Sequence, residues 1–261
     1  MQTANRIDWA RLLAEAIIEP GKISDAYQRF YGYSLSNRLW AMAQCVARGI
    51  EPGPLASFNR WKELGRQVKK GEKAISLCMP VTIKRKETDQ AGNETEANHQ
   101  IFVLKNNWFV LAQTEGQEYT PEPLPEWNET RALATLNITK ASFDLMNGNV
   151  QGYAAPGRII SLSPIAVNPL KTIFHETGHV LLDHVQASAL TDTEQTPHNV
   201  MEVEADSVAM LCCASLGLSG VEHARGYIQS WANGQPISDK SAQRIFAAAD
   251  KILRAGTEEP A

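Results

Sequence analysis

The segment Thr172-Ile173-Phe174-His175-Glu176-Thr177-Gly178-His179-Val180-Leu181-Leu182-Asp183-His184 constrains this chain more than any other. Side chains four residues apart on a helix share a face, so His175 and His179 can offer imidazole nitrogens to one ion. Glu176 is turned about 100° from His175, which aims its carboxylate at a water on the ion rather than at the ion. Zinc lowers the pKa of such a water to about 7, and Glu176 can take its proton and pass it to a leaving amine. Ile173, Phe174, Val180, Leu181 and Leu182 suit a buried helix. Gly178 costs that helix about 1 kcal/mol relative to Ala, which points to a close backbone approach beside the ligands.

A catalytic zinc takes three protein ligands and a water. The metzincin pattern is excluded, because Leu182 and Val185 stand where it needs glycine and histidine. The downstream run Met201-Glu202-Val203-Glu204-Ala205-Asp206 resembles the E-x-x-A-D element of gluzincin metallopeptidases. That resemblance implies Glu202 as third ligand and Asp206 as the group that orients a ligand histidine through its other ring nitrogen. Glu204 points about 160° away from Asp206 on a helix and is the weaker candidate. His184 and His198 are further candidate ligands, at spacings that match no known triad. Two histidines and a glutamate suit Zn2+, and Mn2+, Co2+ or Ni2+ could occupy such a site. Tyr153 is a candidate oxyanion stabiliser, although a tyrosine near a strand commonly packs. The strand Arg158 to Leu162 could bind an extended peptide by β-augmentation or simply complete a small sheet.

Charge divides the 261 residues unevenly. The formal net charge is −4, yet residues 1–118 carry +3 and residues 119–261 carry −7. Residues 48–86 hold 10 basic and 3 acidic side chains, so an acidic average does not exclude a polyanion partner. Between the halves, Pro121, Pro123 and Pro125 favour an extended path. The expected organisation is α+β: a small mixed domain over 1–118, a Pro-rich linker over 119–128, and a helix-rich, zincin-like domain with a short sheet over 129–261. Apolar periodicity predicts helices over 7–18, 35–47, 58–64, 168–186, 199–216, 220–233 and 238–254. Strands are expected over 74–83, 101–112 and 158–162, with the polar stretch 87–99 as a connection. Cys45, Cys78, Cys212 and Cys213 form no C-x-x-C pair, which favours reduced thiols and a cytoplasmic setting over a disulfide framework. No apolar run approaches the ~20 residues of a membrane span, and no secretory signal is evident.

Residues 57–73 combine Arg60, Lys62, Arg66, Lys69, Lys70 and Lys73 with Phe58 and Trp61. Basic side chains hold phosphates, and aromatics stack on unpaired bases for about 1–3 kcal/mol each. The combination fits single-stranded nucleic acid better than duplex. A solvated basic face with Trp61 in the core is the competing reading.

Several of these stretches together resemble the ArdC-type antirestriction proteins of conjugative plasmids and other mobile elements, and the N-terminal part of TraC-type primases. They are Tyr33-Ser34-Leu35-Ser36-Asn37-Arg38, Phe58-x-x-Trp61-x-x-x-Gly65-x-x-Val68-x-Lys70-Gly71-Glu72-Lys73, and Phe109-Val110-Leu111-Ala112-Gln113-Thr114-Glu115-Gly116. Tyr153, the metal helix, the acidic helix and Tyr227-Ile228-x-x-Trp231 continue the match. The resemblance implies an N-terminal domain that binds single-stranded DNA, with Asn37 and Arg38 among the residues that bind it, and a zincin-like metallopeptidase domain. It also implies protection of incoming plasmid DNA from host restriction. Two other outcomes stay open: a DNA-coating module in which the ion is structural, and a regulatory protease that cleaves one repressor-like protein.

Overall fold

Helix α1 (Trp9–Ile18) starts at Asp8, whose carboxylate accepts a hydrogen bond from the Arg11 amide at 2.9 Å. Two further amides of its first turn, Trp9 N and Ala10 N, donate to Asp239 at 2.7 and 3.2 Å. This computed structural model describes residues 7–88, 94–121, 123–144, 150–185, 197–219, 221, 225, 226, 228 and 237–257, without the side chains of 85–88 and 94–97. The helices α2 (Lys22–Arg29) and α3 (Leu35–Arg48) follow α1.

The chain divides into two compact units. Trp40–Pro121 forms the body of one; Asp8–Leu39 and Glu122–Ala261 form the other. One boundary thus falls inside the Pro-rich stretch 119–128, and another falls within α3. Residues 8–39, expected with the basic half, group with the acidic half instead. The reason is apolar pairing: Trp9 meets the ring of Phe246 edge-on at 6.2 Å, and α2 packs against the helix that carries Glu202.

In the first unit, β1 (Leu55–Ser57), α4 (Phe58–Glu63), β2 (Arg66–Val68), β3 (Ile75–Thr88), β4 (Glu94–Val110) and β5 (Thr114–Gly116) follow in order. An antiparallel sheet has β4 between β1 and β3, and β2 pairs separately with β5. Trp61, Ile75, Leu77 and Val110 form the core. The long β3–β4 hairpin corrects the expected polar connection over 87–99. Pairing continues through Lys84↔Asn98 to Thr88↔Glu94. A two-stranded ribbon can leave a face to water, so polar side chains do not end it.

In the second unit, β6 (Thr139–Ala141), β8 (Ile159–Leu162) and β7 (Gly152–Ala155) form a sheet with β8 in the middle. β8 pairs in parallel with β6 and antiparallel with β7. It therefore completes the sheet and has no edge left for a peptide. Helices α5 (Glu129–Thr135) and α6 (Pro169–Leu181) pack on this sheet, and α7 (His198–Ser215) and α8 (Asp239–Thr257) pack on those helices and on each other. Proline suits the first turn of α6, where its missing amide costs nothing. Every residue of α7 from Val203 to Ser215 is buried, as expected of a helix enclosed on all sides. On α8, Ala242, Ile245, Phe246, Ala249, Ile252 and Leu253 repeat at three- and four-residue steps and are all buried. No helix among the described residues is long and apolar enough to cross a membrane. The helix expected over 220–233 lies largely outside the described residues.

Candidate metal centre and nucleic-acid interface

Helices α6 and α7 lie close because Gly178 has no side chain. A Cβ there would sit 3.4 Å from Ala205 Cα and 3.4 Å from Val208 Cβ. The closeness brings acidic groups of α7 under the histidines of α6. His175 Nε2 and His179 Nε2 are 3.1 Å apart. Glu202 Oε2 is 3.5 Å from the first and Glu202 Oε1 is 3.5 Å from the second. Ligand atoms placed tetrahedrally around an ion at bonds of 2.0–2.1 Å are about 3.3–3.4 Å apart. The donor set therefore has the size and chemistry to hold one ion, and His175, His179 and Glu202 are the group that could do so among the described residues.

Asp206, one turn beyond Glu202, receives the outer nitrogen of His175: Nδ1 and Oδ1 are 3.0 Å apart. Lys171 Nζ approaches the same oxygen at 3.9 Å. Burial opposes a charge on His175, but the hydrogen bonds of Asp206 and Glu202 outweigh it and push that group up to about 10. On His179, burial and the neighbouring His175 push the group down to about 4. Glu202 is held below the usual carboxylate range, chiefly by its hydrogen bond with His175. The carboxylates of α7 thus favour positive charge where the two Nε2 atoms meet.

Glu176 is only 7% exposed. Burial pushes its carboxyl up to about 7, with His175 opposing. β7 presses on this part of α6, since a Cβ at Gly152 would lie 3.2 Å from Glu176 Cγ and 2.7 Å from Thr172 Cγ2. Tyr153 tilts against Phe143, with ring centroids 6.0 Å apart. It forms no hydrogen bond with the histidine cluster among the described residues, so packing is the role its position supports. His198 is 80% exposed and 3.9 Å from Glu202, outside the cluster. Sequence spacing ranks His184 and Glu204 low, yet the side chains of both are withdrawn from water here and hydrogen-bonded to each other at 2.9 Å.

The basic segment is built differently. Gln113, 1% exposed, donates to Glu72 Oε2 at 2.8 Å and to the Lys73 carbonyl at 2.9 Å. Its own backbone carbonyl accepts from the Lys69 amide at 2.9 Å. The Gly-Glu-Lys and Gln-Thr-Glu-Gly elements are thus two halves of one clasp. Gly116, at φ +132°, completes it, because a Cβ there would sit 2.5 Å from the Gly65 carbonyl.

The clasp leaves Lys62, Lys70 and Lys73 exposed. Lys69 is also solvent-facing at its amine but donates to the Ala112 carbonyl at 2.8 Å. Arg60 pairs with Glu63 at 3.0 Å, and Arg66 is tied to Thr114 at 2.9 Å. Phe58 is 48% exposed, whereas Trp61 is 1% exposed and donates to the Phe109 carbonyl at 2.7 Å. Trp61 is therefore core and offers no stacking face. Asn37 and Arg38 are buried as well. Arg38 lies over the rings of Tyr27 and Tyr31 and donates to the Tyr33 and Tyr27 carbonyls at 2.6 and 3.1 Å. Its charge stabilises the fold around α2 and is not presented to a strand.

Residues 14–109 match the family described as the N-terminal domain of anti-restriction factor ArdC. Over 229 residues the chain is 29% identical to the uncharacterized protein y4eC of Sinorhizobium fredii (strain NBRC 101917 / NGR234), a match covering 82% of this chain and 72% of that protein. Two crystal structures of the antirestriction ArdC protein from the R388 plasmid share the fold. The metal-free one matches at 20% identity and TM-score 0.52, over 95% of this chain and 94% of its own. The Mn(II)-bound one matches at 18% identity and TM-score 0.53, over 98% and 100%. Residues 14–109 are thus similar to an ArdC N-terminal domain, and the chain shares the mixed helix-and-sheet fold of the ArdC structures.

Proposed function

We propose that this chain is an antirestriction protein that binds single-stranded DNA through the basic clasp and one divalent metal ion through His175, His179 and Glu202. The observation that carries the metal reading is the convergence of three donor groups at 3.1–3.5 Å from two helices. The Mn(II)-bound relative supports a divalent ion of this kind, and two imidazoles with one carboxylate admit zinc, manganese, cobalt or nickel. The DNA reading rests on the ArdC domain match and on exposed Lys62, Lys70 and Lys73 beside Phe58.

When bound, the ion would supply Lewis acidity, the chemistry of a metallopeptidase. His175, His179 and Glu202 would hold it, and Asp206 would keep the His175 Nε2 lone pair turned inward. Glu176, buried beside the ligands, would take up and release the proton that a hydrolytic reaction moves. Elemental analysis of purified wild type and Glu202→Ala tests the metal site. About one ion per chain, lost in the variant, supports it, and no ion in the folded wild type sinks it. Glu176→Ala should keep the ion and abolish any hydrolysis; antirestriction that survives this change would assign protection to DNA binding alone.

A further inference from the structure

Helix α6 ends in a Schellman motif. Asp183 takes the left-handed conformation at φ +58°, the His184 amide donates back to the His179 carbonyl at 3.0 Å, and the Asp183 amide to the Val180 carbonyl at 3.4 Å. A non-glycine residue in this conformation carries a modest strain. The reversal returns His184 over the helix it has just left. Its Nδ1 comes to 3.0 Å from His179 Nδ1, and its Nε2 to 2.9 Å from Glu204 Oε2. The side chains of His184 and Glu204 are 3% and 1% exposed. Arg244 of α8 approaches Glu204 Oε2 at 3.4 Å and also donates to the Leu182 carbonyl, tying the helix end and the carboxylate together.

For neutral imidazoles, the form in which histidine binds a metal, the proton arrangement follows from donors and acceptors. A carboxylate only accepts, so His184 carries its proton on Nε2 and leaves Nδ1 bare. A bare Nδ1 must accept from His179 Nδ1–H. That leaves His179 Nε2 without a proton, its lone pair directed at His175 and Glu202. In its neutral form His175 has the same arrangement directly, donating Nδ1–H to Asp206. We propose that His184 and Glu204 are positioning residues for the metal site, fixing the tautomer and ring angle of His179 as Asp206 does for His175. One helix, α7, would then hold both ligand histidines from behind: one through a single carboxylate, the other through a carboxylate and an intervening imidazole.

This inference rests on the metal reading proposed above, and the test separates the two. Affinity for Co(II) and Mn(II) is measured by competition with a chromophoric chelator for wild type, His184→Ala, His184→Asn and Glu204→Gln. The Co(II) absorption spectrum and the melting temperature of each metal-free protein are recorded alongside. His184→Ala and Glu204→Gln should weaken binding by about 10- to 100-fold and alter the Co(II) bands, with metal-free melting temperatures close to wild type. In His184→Asn the side-chain oxygen reaches the place of Nδ1, so the acceptor for His179 is restored and most of the affinity should return. Binding within about twofold of wild type in His184→Ala and Glu204→Gln would overturn the positioning role and leave the metal site standing. A loss that is equal in His184→Asn and accompanies a fall in metal-free melting temperature would assign His184 to packing alone. Absence of binding by wild type would overturn both readings.

Discussion

The histidine–carboxylate cluster and the basic clasp show two ways of presenting charge. Between α6 and α7, each charged or polar group with a proposed role is largely withdrawn from water, and the histidines have named partners: His175 with Asp206, His179 with His184, His184 with Glu204. Around residues 62–73 the backbone is what is fixed, through Gln113 and the Gly65–Gly116 approach, and the lysines extend into solvent. A small ion demands donor atoms placed to within a few tenths of an ångström, which only packing can supply. A polyanion demands charge density, and a charge on a mobile stem over a firm backbone supplies it without the cost of burying an ion. The difference predicts sharp, local losses in the first region and graded, additive ones in the second.

The largest effect should come from Trp61, the aromatic residue that its basic neighbours mark as a candidate for stacking on bases. Trp61→Ala should cost about 3–5 kcal/mol of stability in denaturant unfolding, because it empties the core of the first unit. Phe58→Ala should change stability by no more than about 0.5 kcal/mol, yet weaken single-strand binding by about 1–3 kcal/mol. Equal stability losses in the two would erase the distinction between core and face. Next, Glu202→Ala should weaken metal binding by more than about 100-fold, beyond what removal of an outer partner costs, and leave DNA affinity unchanged. A parallel fall in DNA binding would show that the two regions are not independent. Gly178→Val should push α6 from α7, costing about 1–3 kcal/mol and lowering metal affinity although it touches no ligand. The smallest effect belongs to Lys70→Glu combined with Lys73→Glu. Single-strand affinity should fall by about tenfold, alike for unrelated sequences, with a salt dependence shallower by about 0.7 for each phosphate no longer neutralised. A sequence-selective loss would mean that this surface reads bases.

Much of the second unit is legible in its sequence, because helical spacing is itself a statement about faces. His175 and His179 share one, Glu202 and Asp206 share another, and Gly178 marks where the two helices touch. His184 and Glu204 are not legible as a pair. Their meeting depends on the left-handed turn at Asp183 and on how α7 lies against it, and neither leaves a periodic trace. In the first unit the order of elements can be read, but not the extent of the β3–β4 hairpin, whose outer pairs, Ala97 apart, are polar on both strands. Residue type and family likeness place Trp61, Asn37 and Arg38 on a DNA surface. Burial overrides both: the indole is spent on the Phe109 carbonyl and the guanidinium on two tyrosine rings. The grouping of residues 8–39 with the second unit is equally hidden, since it depends on partners such as Trp9 and Asp239, 230 residues apart in the chain.

Those distant partners set an order of events during synthesis. The Trp9 amide waits for Asp239, and the Leu35 amide for Asp250, so α1 and the first turn of α3 leave the ribosome long before their partners exist. Translation proceeds at about 5–20 residues per second, which keeps those helices unpaired for many seconds. The stretch Trp40–Pro121 has no such wait, because it packs chiefly upon itself. The basic unit can therefore be complete while the polypeptide is still growing, whereas the cluster of histidines and carboxylates gains its Arg244 contact only as α8 emerges.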